Sequence, residues 1–293
     1  MKILYHIGLH KTASTWFQQI YFSRHPQLFL VNDWNKPWND PYLHYLITTP
    51  IKKFKADTAR GLLEKQINSI KKTGENQDTI VISAERLSGH PYSGGHDRYE
   101  IMDRIHQVSP DAKILIFYRD QISMLKSLYK QMVWQGYTGT VQDIIYRETW
   151  TGKGFDLSYL EYNLIASSYF QKFGRKNVLL CKFEDFLADK NSVLGKICDF
   201  LGVRQYIEEE FLQIKLAQRT EDKTIPARRL LNKFRKTEYV DSPVFVLPTK
   251  LSNLICRFFM LFIMDIEINE IDRKYLENYF LEPNKQLSQL LIE

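Results

Sequence analysis

The chain is poor in cysteine: Cys181, Cys198 and Cys256 are the three among 293 residues. An odd number without metal-ligand spacing excludes a disulfide framework, and reads as reduced, buried thiols of a cytoplasmic protein. Long apolar runs are also missing. The most hydrophobic stretch, 254–264, is interrupted by Arg257 and falls short of the roughly 20 residues that a spanning helix needs. No transmembrane segment is therefore expected, although that stretch leaves peripheral contact with a membrane surface open. The sequence enters a β-like run two residues after Met1, so no signal peptide is expected. There is no internal repeat, low-complexity tract or strong linker. The charge imbalance is small, 40 Lys+Arg against 34 Asp+Glu for a formal net charge of +6, and it is spread along the chain. Such a balance does not call for nucleic acid, but it suits a small anionic ligand, which needs local charge only.

What remains is an ordinary globular composition, 44% hydrophobic and 25% charged. Length alone allows two domains at about 150 residues each. Residues 2–8, 79–83, 113–119 and 177–183 are short apolar runs that read as buried strands. Helical spacing of apolar residues occupies 14–22, 58–72, 99–108, 122–134, 158–173 (with Ser158 as its cap) and 192–201, with a short helix near 141–146. Residues 25–50, rich in Pro, Asn, Asp and Trp, read as loop. Apolar strands alternating with amphipathic helices predict an α/β fold with a parallel central sheet flanked by helices. No strand is evident beyond Val203. Residues 219–236 are basic and 273–293 read as a charged helix, so we expect one domain: an α/β core over 1–202 and a helical part over 203–293.

The segment between the first strand and first helix has the chemistry of an anion cradle. It runs Gly8, Leu9, His10, Lys11, Thr12, Ala13, Ser14, Thr15, Trp16. Backbone N–H groups at a helix start carry partial positive charge. Lys11 adds a full charge, Thr12, Ser14 and Thr15 add hydroxyls, and small residues at 12–15 let the backbone close around an oxyanion. It is not a Walker A loop, which requires a glycine directly before the lysine; His10 stands there. A second prong follows the third strand. Arg119 sits at its carboxyl end, where open α/β sheets bind ligands, and Ser123 and Ser127 share one face of the next helix. A guanidinium beside a hydroxyl suits a second phosphate.

With these two motifs in this order, the sequence resembles the sulfotransferases that use 3'-phosphoadenosine 5'-phosphosulfate (PAPS). The match is Lys11 through Thr15 and Trp16 in the first loop, and Arg119 with Ser127 eight residues later. The prefix His6 to Lys11 looks most like bacterial members, as does the helical ending, and the resemblance covers about residues 2–202. It implies a fold similar to the P-loop nucleotide kinases, PAPS as donor, no metal, and a small-molecule or glycan acceptor. It also implies that Lys11 contacts the oxygen bridging phosphate and sulfate, that the Thr12, Ala13, Ser14 and Thr15 loop holds the 5'-phosphate, and that Arg119 and Ser127 hold the 3'-phosphate. Trp16 would chiefly pack.

The family places a general base, His in some branches and Glu in others, after the strand between the two motifs. Here that position is Glu85, with a bland alternative of a solvated carboxylate paired to Arg86. His10 competes as base, and His90 and His96 would face the acceptor. Glu184 and Asp185 resemble a family segment or simply suit a helix start. The basic run with Lys223, Arg228 and Arg229 fits either a lid over donor and acceptor or a solvated face. Trp34, Trp38, Tyr42 and Tyr45 fit either an acceptor cleft or a core beneath a loop. The alternative functions are a small-molecule kinase, which should show the missing glycine and a metal-holding Asp, and a non-catalytic nucleotide-binding adaptor. The acceptor expected by analogy is a carbohydrate or glycan precursor.

Overall fold

A computed structural model describes residues 2–32, 39–71, 79–147, 155–214, 225–237, 240 and 268–292. Strand β1 (Lys2–Gly8) leads into helix α1, built from Ser14–Trp16, a π-helical turn at Phe17–Tyr21, and Phe22–Arg24. Then follow β2 (Leu28–Leu30), α2 (Pro41–Thr48), α3 (Ala56–Lys71), β3 (Thr79–Ser83), α4 (Arg98–Val108), β4 (Lys113–Tyr118), α5 (Gln121–Gln135), α6 (Gln142–Ile145), α7 (Tyr162–Phe173), β5 (Val178–Lys182), α8 (Phe183–Ala188) and α9 (Lys190–Leu201). Beyond them lie α10 (Glu209–Gln213), α11 (Ile225–Asn232) and α12 (Glu270–Ile292).

The five strands form one parallel sheet in the order β2-β3-β1-β4-β5. This is the α/β architecture the apolar runs predict. Their continuous hydrophobicity follows from burial on both faces. Ile7, Ile82 and Ile116 pack into one core cluster, and Leu4, Val81 and Phe117 into the other. Because β1 lies between β3 and β4, the chain leaves β1 towards one sheet edge and later crosses to the other. The loops after β1, β3 and β4 therefore diverge around one crevice at their carboxyl ends, the place where such sheets bind ligands.

Two expectations are corrected. Residues 25–50 are not all loop: Leu28–Leu30 pairs with β3 as a short edge strand, and Pro41–Thr48 is a helix. Three residues are too few to show a period. The helix, however, had its start signal, Asp40 accepting from the Leu43 N–H at 2.8 Å with Pro41 in the first turn. Likewise 158–173 is not one helix capped by Ser158. A 3-10 turn at Leu157–Leu160 precedes α7, and Asp156 does the capping by accepting from the Ser158 N–H at 2.8 Å.

The C-terminal helix α12 lies against α7. Tyr279 donates to Glu161 at 2.8 Å, the Asn163 amide donates to Gln286 at 2.8 Å, and Gln121 of α5 donates to Asn284 at 2.5 Å. Cys181 and Cys198 are buried free thiols, while Cys256 and the 254–264 run lie outside the described residues. Among the described residues no helix is long and apolar enough to cross a membrane.

Candidate active site

The loop after β1 holds an unusual backbone. Lys11 (φ 66°) and Ala13 (φ 64°) are both left-handed without being glycine, at roughly 1–2 kcal/mol each. Alternation of backbone hand turns consecutive N–H groups to one side and makes a concave anion site. The loop is closed by its own contacts. The buried Thr12 hydroxyl donates to the Leu9 carbonyl at 2.6 Å, and Phe17 N–H to the Ala13 carbonyl at 3.1 Å. A Cβ on Gly8 would come within 3.1 Å of the Ser14 Cβ, so a side chain there would press on the helix start. The Thr12 hydroxyl is thus engaged in shaping the loop, while Thr15 is exposed and lines the neighbouring cavity. Trp16 packs, as expected, against Phe17, Tyr21 and Phe186.

Glu85, in the 3-10 turn after β3, comes directly onto this loop. Ser14 Oγ donates to Glu85 Oε1, and Glu85 Oε2 lies 3.8 Å from His10 Nε2. The carboxylate side chain is 38% exposed. Arg86 is not its partner. Arg86 pairs with Asp97, whose other oxygen accepts from the His90 N–H at 2.9 Å. Burial pushes the Asp97 carboxyl up, but the His90 amide and Arg86 outweigh it and hold it below its ordinary value. Burial pulls the His10 imidazole down; Glu85 opposes this, while His90, Lys11 and Arg86 add to it. His10 is therefore neutral at pH 7. Around Glu85 opens a cavity of about 420 Å³, lined also by His10, Thr15, Arg86, His90, Gln131 and Gln135.

Beneath the site, the end of β3 is tied down by groups that sequence reasoning missed. The Asn32 amide brackets Ser83, donating to its carbonyl and accepting from its N–H, both at 2.8 Å. Gln18 donates to the same carbonyl at 3.0 Å, and His6 Nδ1 lies 2.7 Å from the Ser83 hydroxyl. His6 is wholly buried, and desolvation lowers its pKa to about 3. No local pattern announces this network, because its members come from β1, α1, the loop after β2 and β3.

Arg119 reaches the β1 loop from the other side. Its Nη1 donates to the Lys11 carbonyl at 3.3 Å, its guanidinium lies 5.0 Å from the Phe183 ring, and Glu184 is 3.9 Å from its Nε. That Nε is buried without a hydrogen-bond partner. Glu184 also accepts from the Asp120 N–H at 3.2 Å, and Asp120 caps α5. Ser127 is half-buried on α5, and among the described residues no hydrogen bond joins it to Arg119.

The remaining candidates divide. His90 lines the cavity, whereas His96 is exposed and does not. Tyr42 is buried, its hydroxyl 2.5 Å from that of Tyr5, and Tyr45 packs on Phe54; it is Leu43 and Ile47 of that helix that reach the cavity. Trp34, Trp38 and Lys223 lie outside the described residues. Arg228 is 6% exposed, stacked 3.4 Å above Trp134, and Arg229 donates to the Tyr129 hydroxyl at 3.3 Å. The part of the basic run that α11 carries is therefore a packed face against α5, not a solvated one.

Comparison with known proteins gives a family match over part of the chain and likenesses of fold. The chain matches the model of the "Sulfotransferase family" over residues 96–208, which include Arg119 and Ser127. No curated protein matches the chain. A sulfotransferase from Alicyclobacillus acidocaldarius shares the fold at TM-score 0.52 and 18% identity, over 79% of this chain and 94% of that one. A sulfotransferase domain from the curacin biosynthetic pathway aligns at TM-score 0.44 and 13% identity over 95% and 97%. A mouse sulfotransferase complexed with PAP aligns at 0.40 and 14% over 97% and 85%. The family model thus matches the part of the chain from 96 to 208, and the chain shares its fold with the Alicyclobacillus acidocaldarius sulfotransferase.

Proposed function

We propose that the protein transfers a sulfuryl group from PAPS to an acceptor hydroxyl, on a carbohydrate or glycan precursor, with Glu85 as general base. The observation that carries this reading is the position of Glu85: one carboxylate touches the anion loop through Ser14 and opens onto a cavity large enough for an acceptor. The acceptor oxygen would attack sulfur while the bond from sulfur to the bridging phosphate oxygen breaks. The acceptor proton passes to Glu85, and Lys11 neutralises the charge that develops on the departing phosphate. His10 is less suited to take the proton, since its burial disfavours the cation it would become.

The donor fits the residues present. The left-handed pair at Lys11 and Ala13 shapes a cradle for the 5'-phosphosulfate, and the unpartnered Arg119 Nε has a hydrogen to give the 3'-phosphate, with Ser127 on the adjoining helix. Positioned positive charge supplies the electrostatic stabilisation. Residues 1–202 would form the catalytic core, and 203–293 the helical part that covers it.

Calorimetric titration with 3',5'-adenosine bisphosphate tests the reading, with ATP as control. Binding of the bisphosphate in the micromolar range, in preference to ATP, is expected. No binding at high micromolar concentration overturns it.

A further inference from the structure

The cavity at Glu85 has a second set of polar groups that the transfer step leaves unused. Helix α5 brings Gln131 and Gln135 to it, continuing at four-residue intervals from Ser123 and Ser127. Gln131 Oε1 is buried and has no hydrogen-bond partner. Arg86 Nη1 is likewise buried and unpartnered, although Nη2 is committed to Asp97. His10 Nδ1 is a third such atom in the same cavity. Buried polar groups left unpaired are costly, and these three belong to residues that line one cavity, where a small side-chain turn would let a ligand pair them.

The chemistry of these atoms restricts that ligand. A guanidinium N–H only donates and an amide oxygen only accepts. A hydroxyl can answer both, because it donates and accepts. Charge restricts the ligand further. Asp97 matches the Arg86 cation, the buried His10 is neutral at pH 7, and Glu85 contributes negative charge. Among the described lining residues none offers an acidic ligand an unmatched cation. Leu43 and Ile47 of α2, with Pro91, supply an apolar wall.

We infer that this cavity is an acceptor subsite for an uncharged, polyhydroxylated ring, a neutral glycoside or polyol, oriented by Gln131 and Arg86. The role of Glu85 towards that ring rests on the sulfuryl-transfer reading; the binding itself does not. An acidic ring placed here meets Glu85 without compensation, and like-charge juxtaposition is how a site rejects the wrong ligand.

Calorimetry with the full chain separates the possibilities, using p-nitrophenyl β-D-glucopyranoside and p-nitrophenyl β-D-glucuronide as probes, which differ in one carboxylate. The neutral glycoside is expected to bind about tenfold tighter or more at pH 7. Gln131→Leu should weaken it by about tenfold while affinity for 3',5'-adenosine bisphosphate stays unchanged, which also shows the variant is folded. Equal or tighter binding of the glucuronide, an unaltered glycoside affinity in Gln131→Leu, or binding of neither glycoside overturns the subsite. Glycoside discrimination in a protein that does not bind the bisphosphate supports the subsite and removes the donor reading instead.

Discussion

At the carboxyl end of β3, Ser83 is held by hydrogen bonds from three other segments, and Glu85 just beyond it is held by Ser14. At the end of β4, Arg119 has one hydrogen bond to a carbonyl, a carboxylate at 3.9 Å and an aromatic ring. One strand end is fixed from several directions and the other is held loosely. Proton transfer demands donor and acceptor within hydrogen-bond reach, and small misplacement is costly. Coulomb attraction falls only inversely with distance, so a guanidinium can hold a phosphate from a range of positions. The rigid side is suited to chemistry and the looser side to donor affinity.

Variants at the two ends should therefore fail in different ways. Lys11→Ala is expected to lower kcat by about 10³-fold at saturating donor, the scale of losing one transition-state donor; a change confined to donor KM would move Lys11 to the binding side. Glu85→Gln should lower kcat on the order of 10²-fold and leave bisphosphate affinity intact, and an active variant would transfer the base to His10. Arg119→Ala should weaken bisphosphate binding by about 10- to 100-fold, as for a hydrogen bond to a charged group, with kcat close to wild type. If kcat falls as steeply as in Lys11→Ala, the contrast between the two ends is lost.

The smallest effect concerns the network itself. His6 has a folded-state pKa of about 3 against an ordinary 6.5. Below about pH 6.5 the unfolded chain takes up a proton that the native chain refuses, so stability is full above that pH and declines as pH falls. The slope approaches about 1.4 kcal/mol per pH unit. Urea unfolding at pH 7 and pH 5 should show it, and His6→Gln should flatten the difference.

Much of this was legible in the residues. Continuous apolar runs gave four of the five described strands, because burial on both faces leaves a pattern that needs no partner to be seen. The fifth, Leu28–Leu30, was too short to carry one. Lys11 and Arg119 were visible through their places at strand ends. The partner of Arg86 was not, since Asp97 lies eleven positions on and is reached only through the turns at Gly89, Gly94 and Gly95. Nor was Thr12's inward hydroxyl, which depends on the backbone angles on either side of it. Gln131 had a signal that went unread: it continues the spacing of Ser123 and Ser127.

That spacing has a consequence for insertions and deletions. Each residue of an α-helix turns the face by about 100°, so one residue added between Ser127 and Gln131 would swing the glutamine about a quarter-turn away from the serine's side. Four added residues would nearly restore the direction while lengthening the helix by about 6 Å. A change in α5 that keeps Gln131 on the cavity side must therefore come in whole turns.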